Sequence, residues 1–471
     1  MSRNAVVIGA GVAGILAAAA LAPKVDQVVM LDRDGLPDAP EHRKGVPQGR
    51  HAHLMMAGGL AAMDALVPRT DMRQHLLAAG AHEISLSRGM VALTPEGWFR
   101  RWLPQDHLMI TSSRALLEWA ARTAVLHDFP NIEIRQAQAV GLIGSAERVR
   151  GVRLATDEGD TVLDADFVVD ASGRGSRIVK WLDQLGITDI PERTLDSGLV
   201  NSTRIYRIPA GAKDWPLTLV QPNPFTGQPG RSGMIVPIEG DRWMVSLGGS
   251  RGGEPPKDPD EFVEYALALP HPIVGQIIAA AEPLTPVFTS HSTSNARRYL
   301  EKAKTWPDGL VVLGDALATF NPLYGQGMSI AALGAKALAD TVRDQWETPG
   351  LSRRVQRQLA RSVDMAWTLA VSSDVLYPGV VGGKATIADR MAAKYTQRLT
   401  RAATGSYSAA AALWDVTSVL STPARLMRPG VLLSALAGPA LPPLSEPPLT
   451  RAEQETLRNL VREGGSSRKT P

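Results

Sequence analysis

Ala5-Val6-Val7-Ile8-Gly9-Ala10-Gly11-Val12-Ala13-Gly14 opens the chain with an apolar run that halts on a glycine, and two more glycines follow closely. Taken alone, the uncharged stretch Ala5 to Ala22 behind a short basic start has the texture of a secretory signal or a membrane anchor. The glycines give it a different reading. Ala5 to Ile8 is predicted as a buried strand, Gly9 to Gly14 as the turn that opens a helix, and the Ala/Leu-rich residues to about Ala22 as that helix. Gln27 to Leu31 forms a second strand that ends on Asp32, 18 residues after Gly14, close to the offset of an acid that accepts ribose hydroxyls. Each glycine has a mechanical reason, since Gly9 permits the tight turn, Gly11 the approach of a pyrophosphate and Gly14 the packing of helix on strand. The competing reading is a bland packing turn; strand, glycines, helix, strand and acid together favour a dinucleotide site. Its expected residues are Gly9, Gly11, Val12, Ala13, Gly14, Asp32 and the adjacent Arg33, in a cytoplasmic chain that keeps its N-terminus.

The 471 residues exceed about threefold the roughly 150 of a typical domain, so two or three structural units are expected. Hydrophobic residues at 44% and charged residues at 21% fall in the soluble globular range, against global disorder and against a polytopic membrane protein. Lys+Arg 50 against Asp+Glu 47 leaves +3, with the basic residues scattered, which gives no footprint for nucleic acid. Zero cysteine excludes disulfides, thiolate metal sites and a cysteine nucleophile, and the nine histidines show no HExxH spacing, so no metal is expected.

Two distant segments bear on which dinucleotide is bound. Val311-Val312-Leu313-Gly314-Asp315-Ala316 reads as a buried strand ending in an acid, and Phe320-Asn321-Pro322-Leu323-Tyr324-Gly325-Gln326-Gly327-Met328 leads into an apolar helix from roughly Ser329 to Val342. Phe167-Val168-Val169-Asp170-Ala171-Ser172-Gly173-Arg174-Gly175-Ser176-Arg177 is again a strand running into an Asp/Gly turn. Each segment alone also reads as a strand and helix joined by a glycine loop. With the first fingerprint, in this order, the sequence resembles the flavoprotein monooxygenases of the aromatic-hydroxylase group and the squalene epoxidases. That resemblance implies FAD, with Gly314 and Asp315 on the ribityl chain and Asp170 near the pyrophosphate. It also implies that Pro322, Gly325, Gly327 and Met328 bring a helix N-terminus to the isoalloxazine pyrimidine. Helix-end N–H groups suit the negative charge that a reduced flavin collects there. Arg43, and Arg114 on a helix that Ser112 or Ser113 can cap, complete the resemblance as planar donors to phosphate or ribityl oxygens.

The likeness narrows further. Arg43-Lys44-Gly45-Val46-Pro47-Gln48, His51-Ala52-His53-Leu54, Asp170 to Arg177 and Phe320-Asn321-Pro322 look like the flavin epoxidases of polyether-ionophore biosynthesis, the lasalocid and monensin type. The match runs over roughly residues 1–345. It implies epoxidation of a linear, apolar polyene polyketide, free or carrier-bound, with O2 as co-substrate and a flavin C4a-hydroperoxide as oxidant. NAD(P)H is then the reductant, directly or through a flavin reductase. No side chain is assigned a catalytic role; His51 and His53 read as structural or as lining the flavin entry. Aromatic hydroxylation and a redox-silent, cyclase-type use of FAD are the alternatives, and neither nucleic acid nor integral membrane association is expected.

The expected architecture is α/β: a Rossmann-like FAD-binding domain with an inserted antiparallel β-sheet substrate domain and a C-terminal helical region. Along the chain, 1–75, 106–190 and 296–345 build the FAD-binding domain, 76–105 and 191–295 the substrate strands, and 346–471 the helical cap and tail. Leu199 to Ile208 and the hairpin Gly233–Ile238 with Trp243–Leu247 supply the sheet. Asp258 to Leu269, Leu351 to Val371 and Thr386 to Leu420 read as helices. Leu432 to Leu441 reads as a peripheral cap too short to span a bilayer, Pro439 to Pro448 as Pro-rich, and Gly464 to Pro471 as a frayed tail.

Overall fold

The computed structural model describes residues 3–156, 159–291 and 293–467. Five strands lie parallel in the order Leu310–Val312, Phe167–Asp170, Asn4–Ile8, Gln27–Asp32, Ile132–Gln136. Short, Val-rich and buried, the inner strands suit a parallel sheet covered on both faces. Asp170 pairs with Ile8 on one side and with Val312 on the other, so the turns that follow all three motif strands emerge side by side along one edge. That edge, at the carboxyl ends of the strands, is where open α/β sheets bind ligands. The helix Val12–Leu21 buries every residue except Ala13 and packs against the helix Gly327–Gln345. A helix that is apolar all round belongs inside a core, which is why this N-terminus imitates a signal sequence.

A second, seven-stranded sheet runs Phe288–Ser290, Val200–Arg207, Arg242–Gly249, Arg231–Ile238, Leu217–Val220, Met90–Thr94, Gly97–Trp98. Its central hairpin is the one expected from the sequence. One pair departs from the antiparallel pattern: Leu217–Val220 runs parallel to Met90–Thr94. More than a hundred residues separate these strands, so no hairpin dictates their direction. Nearby, His82–Ser85 pairs with Leu108–Ser112 instead, in a small sheet that also holds His53–Met55. The outer face of the large sheet buries Tyr206, Trp243 and Val245 against Phe262, Ile277 and Leu460. Alternation turns Leu219, Met234, Thr203 and Ser246 to the opposite, inner face, where Leu219 and Met234 pack against the main core.

The C-terminal region carries helices at Leu351–Asp374, Ile387–Ala403, Tyr407–Thr417, Pro429–Ala437 and Arg451–Ser467. Two expectations need correction. The stretch Thr386 to Leu420 is two helices, broken where Leu441 donates its N–H to the Gly405 carbonyl and a returning segment packs. The frayed tail is helical through Ser467, because Gly464 lies against the Ala279–Ala280 backbone, too close for a Cβ; residues 468–471 lie outside the described residues. None of the helices formed by the described residues is long and apolar enough to cross a membrane.

Candidate cofactor and active site

Gly9 has a φ of +98°, and a Cβ there would stand 2.6 Å from the Ala171 carbonyl oxygen. At Gly14 a Cβ would overlap the Gly9 carbonyl oxygen. Both positions exclude side chains by backbone contact alone. Gly11 is different: its nearest neighbours would be Arg43 Nη2 at 3.7 Å and Arg114 Nη2 at 3.8 Å. The fingerprint backbone thus stays bare beneath two guanidinium groups. Val12 and Ala13 make the first helical turn, and Gly11 caps it without a side chain, so the orphan N–H groups are available to an anion.

Asp32 ends its strand buried and accepts from the Ala10 N–H at 2.9 Å, the Asp34 N–H at 3.0 Å and Arg43 Nη1 at 2.9 Å. Arg43 also donates through Nε to Glu118 Oε1 at 2.7 Å, and Arg114 Nε reaches Glu118 Oε2 at 3.2 Å. Glu118, itself 5% exposed, therefore yokes the two arginines over the fingerprint. Ser113 caps the Arg114 helix by accepting the Leu116 N–H at 3.1 Å, whereas the Ser112 hydroxyl turns to the Ser113 carbonyl. Arg33 is exposed and lines an open cavity of about 400 Å³ with Asp34, Leu36, His42, Lys44 and Gln136.

Asp170 uses its carboxylate on its own turn. Oδ1 accepts from the Ser172 N–H at 2.9 Å and hydroxyl at 2.6 Å, and Oδ2 from the Ser176 hydroxyl at 2.5 Å. Burial pushes this carboxyl above the usual range, and those hydroxyls oppose the push. Asp315 contrasts with it. Among the described residues its carboxylate accepts no hydrogen bond; burial raises it, while the nearby guanidinium groups of Arg114 and Arg174 pull it back. Gly314 and Asp315 begin a short 3₁₀ turn straight after the edge strand. Pro322 is exposed, Gly325 is left-handed at φ +64°, and Gly327 starts the helix two residues earlier than expected, ahead of buried Met328. A Cβ on Gly327 would meet nothing within 4 Å, so the helix N-terminus opens to free space.

Two histidines border this ground. His51 Nδ1 lies 2.8 Å from Thr203 Oγ1, which lies 2.7 Å from Ser246 Oγ on the inner sheet face. Burial pushes His51 down to about 4, and burial together with Arg114 pushes His53 down to about 3, so both rings are neutral near pH 7. The structure gathers Gly9–Gly14, Asp32, Arg43, Arg114, Asp315 and the Pro322–Met328 loop along one sheet edge. It leaves Arg33 at the rim, and the Asp170 carboxylate, on the middle one of the three motif strands at the same edge, is taken up by Ser172 and Ser176 of its own turn. Sequence reasoning missed Glu118, although its place four residues after Arg114 on one face of the same helix was a usable signal. It also missed the inner-face residues, whose orientation depends on strand register.

A parallel sheet with this fingerprint, an acid ending the second strand, two converging guanidinium groups and a second acid beside a helix N-terminus defines a protein built to bind FAD. The chain belongs to the FAD binding domain family, whose profile matches residues 3–343. Protein Rv3254 of Mycobacterium tuberculosis (strain ATCC 25618 / H37Rv) is 31% identical over 391 residues, 79% of this chain and 80% of that one. Among solved structures, the flavin-dependent brominase Bmp2 superimposes with a TM-score of 0.63 at 14% identity, covering 93% of this chain and 98% of its own. PqsL, the probable FAD-dependent monooxygenase from Pseudomonas aeruginosa, does so with a TM-score of 0.58 at 17% identity, covering 79% and 96%. At such identities these two structures speak to the fold.

Proposed function

We propose that this protein is an FAD-dependent monooxygenase that epoxidises alkenes of a linear polyene polyketide, free or carrier-bound, consuming O2 and NAD(P)H, with the electrons delivered directly or through a flavin reductase. The observation that carries the cofactor half is the convergence of Gly11, Arg43, Arg114 and Asp315 at the carboxyl edge of the parallel sheet. These residues fit FAD. Asp32 would take the adenosine ribose, with adenine toward the cavity beside Arg33, and the two arginines would take the pyrophosphate. Asp315 would accept a ribityl hydroxyl, and the Gly327–Gln345 helix would offer its positive end to the pyrimidine. Bound FAD supplies the activation of O2 and the oxygen transfer. The protein's work is to bind, orient and keep water out.

For the substrate half, Leu219 and Met234 are directly paired on the inner face, apolar and only half-buried, as the wall of a chamber for an apolar chain would be. Alkene oxygenation asks for no protein base, whereas phenol hydroxylation usually gains from one. His51 and His53, with Nδ1 engaged and their basicity suppressed, suit the first better than the second. The test supplies the flavin-loaded protein and a reductant with a panel of polyenes and phenols. Epoxide products support the proposal. Phenol hydroxylation replaces it with the aromatic reading, and turnover without O2 uptake with the redox-silent one.

A further inference from the structure

Asp374, the last residue of the Leu351–Asp374 helix, lies 31 residues beyond the family-matched segment and is 0% exposed. Three donors converge on it. The Tyr324 hydroxyl donates to Oδ1 at 2.8 Å, Asn321 Nδ2 donates to Oδ1 at 3.0 Å and Oδ2 at 2.8 Å, and Asn295 Nδ2 donates to Oδ2 at 2.6 Å. Asn321 is fixed from its other sides too: its N–H donates to Asn295 Oδ1 at 2.7 Å, and its own Oδ1 accepts the Leu323 N–H at 3.0 Å. One carboxylate thus ties down the start of the loop that runs from Asn321 to Gly327.

Among the described residues Asp374 has no ion-pair partner; its burial raises the carboxyl and the three hydrogen bonds oppose that rise. Burying a carboxylate carries a desolvation penalty that packing alone does not offset. A carboxylate is, however, the side chain that accepts from three donors and offers none back. The other end of the same helix is anchored as firmly. Ser352 Oγ accepts the Gly309 N–H at 2.9 Å, and Gln356 exchanges hydrogen bonds of 2.9 and 3.2 Å with both backbone groups of Val312. One rigid helix therefore fixes the strand that leads into Asp315 and the loop that follows it.

We propose that Asp374 is a positioning residue for the flavin: it sets the Asn321–Tyr324 loop and so aims the Gly325–Gly327 turn and the helix N-terminus at the isoalloxazine, making the helical region outside the family-matched segment part of the cofactor site. The proposal rests on the flavin reading above. Its test is an FAD titration of apoprotein, followed by fluorescence quenching and the visible flavin band, on wild type, Asp374→Asn, Tyr324→Phe and the swap Asn321→Asp/Asp374→Asn. Asp374→Asn sets an amide donor against donors and is expected to weaken FAD about tenfold or more and to shift the visible band. Tyr324→Phe removes one of the bonds and is expected to weaken FAD less. The swap restores a donor–acceptor pair and is expected to recover much of the affinity. Asp374→Asn that melts lower yet binds FAD with wild-type affinity and an unshifted band overturns the proposal, as does a swap no better than Asp374→Asn. A wild-type protein that binds no FAD overturns the flavin reading first, a result distinguishable from both.

Discussion

Asp32 and Asp315 are both acids at the carboxyl edge of the parallel sheet, yet the structure gives them different loads. Asp32 is already held by two backbone N–H groups and Arg43, whereas Asp315 accepts nothing among the described residues. Asp315→Ala is therefore expected to lose most bound flavin, and Asp32→Ala to weaken FAD through the adenosine half with less change in the visible band; yellow Asp315→Ala protein of normal affinity contradicts this. Glu118→Gln keeps the shape of the yoke but drops its charge, freeing Arg43 and Arg114 from their common anchor. FAD affinity should fall several-fold in a titration while the fold persists. An acid limb of stability should come from His51: folded at about 4 against about 6.5 unfolded, it favours the native state above pH ~6.5 and loses that contribution as pH falls toward 4. Urea midpoints across that window should be flatter for His51→Gln; equal slopes would count against the assignment. The fingerprint residues were legible because glycine spacing is a local signal. Half of the Glu118 yoke was local too, Arg114 lying four residues before it, but Arg43 lies 75 residues away, and Asp374 is 50 residues or more from Tyr324, Asn321 and Asn295.

Among elements, the Leu351–Asp374 helix, outside the matched family segment, hydrogen-bonds both the strand before Asp315 and the loop after it. Its Gln356 satisfies both backbone groups of buried Val312, which as part of an edge strand would otherwise lack partners on that side. Gln356→Ala should cost about 2–4 kcal/mol by leaving a buried N–H and C=O unpaired. Chemical denaturation measures it, and a loss under about 0.5 kcal/mol, the scatter of ordinary surface substitutions, contradicts the role. Sequence periodicity located this helix and the hairpin of the large sheet. It erred where tertiary packing set the ends: at Gly405, where a returning segment splits one apparent helix, and at Gly464, where close backbone contact keeps an apparent tail helical. The parallel pairing of Leu217–Val220 with Met90–Thr94 had no local signal either, because two distant segments choose their direction only in the assembled sheet.

At the scale of the molecule, one parallel sheet places the fingerprint, the Asp315 strand and the loop before Gly327 along a common edge, and a second sheet packs Leu219 and Met234 of its inner face against the main core. The choice of a polyene rests on sequence resemblance together with the apolar inner wall and the suppressed histidines, so product chemistry tests it most directly. The measurement is mass analysis of products from a linear polyene incubated with flavin-loaded protein, reductant and isotopically labelled O2. An epoxide that carries a single labelled oxygen per alkene attacked, lost in Asp315→Ala, is the expected result. Reductant and O2 consumed with every polyene recovered unchanged, or label found only in a phenol, would contradict it.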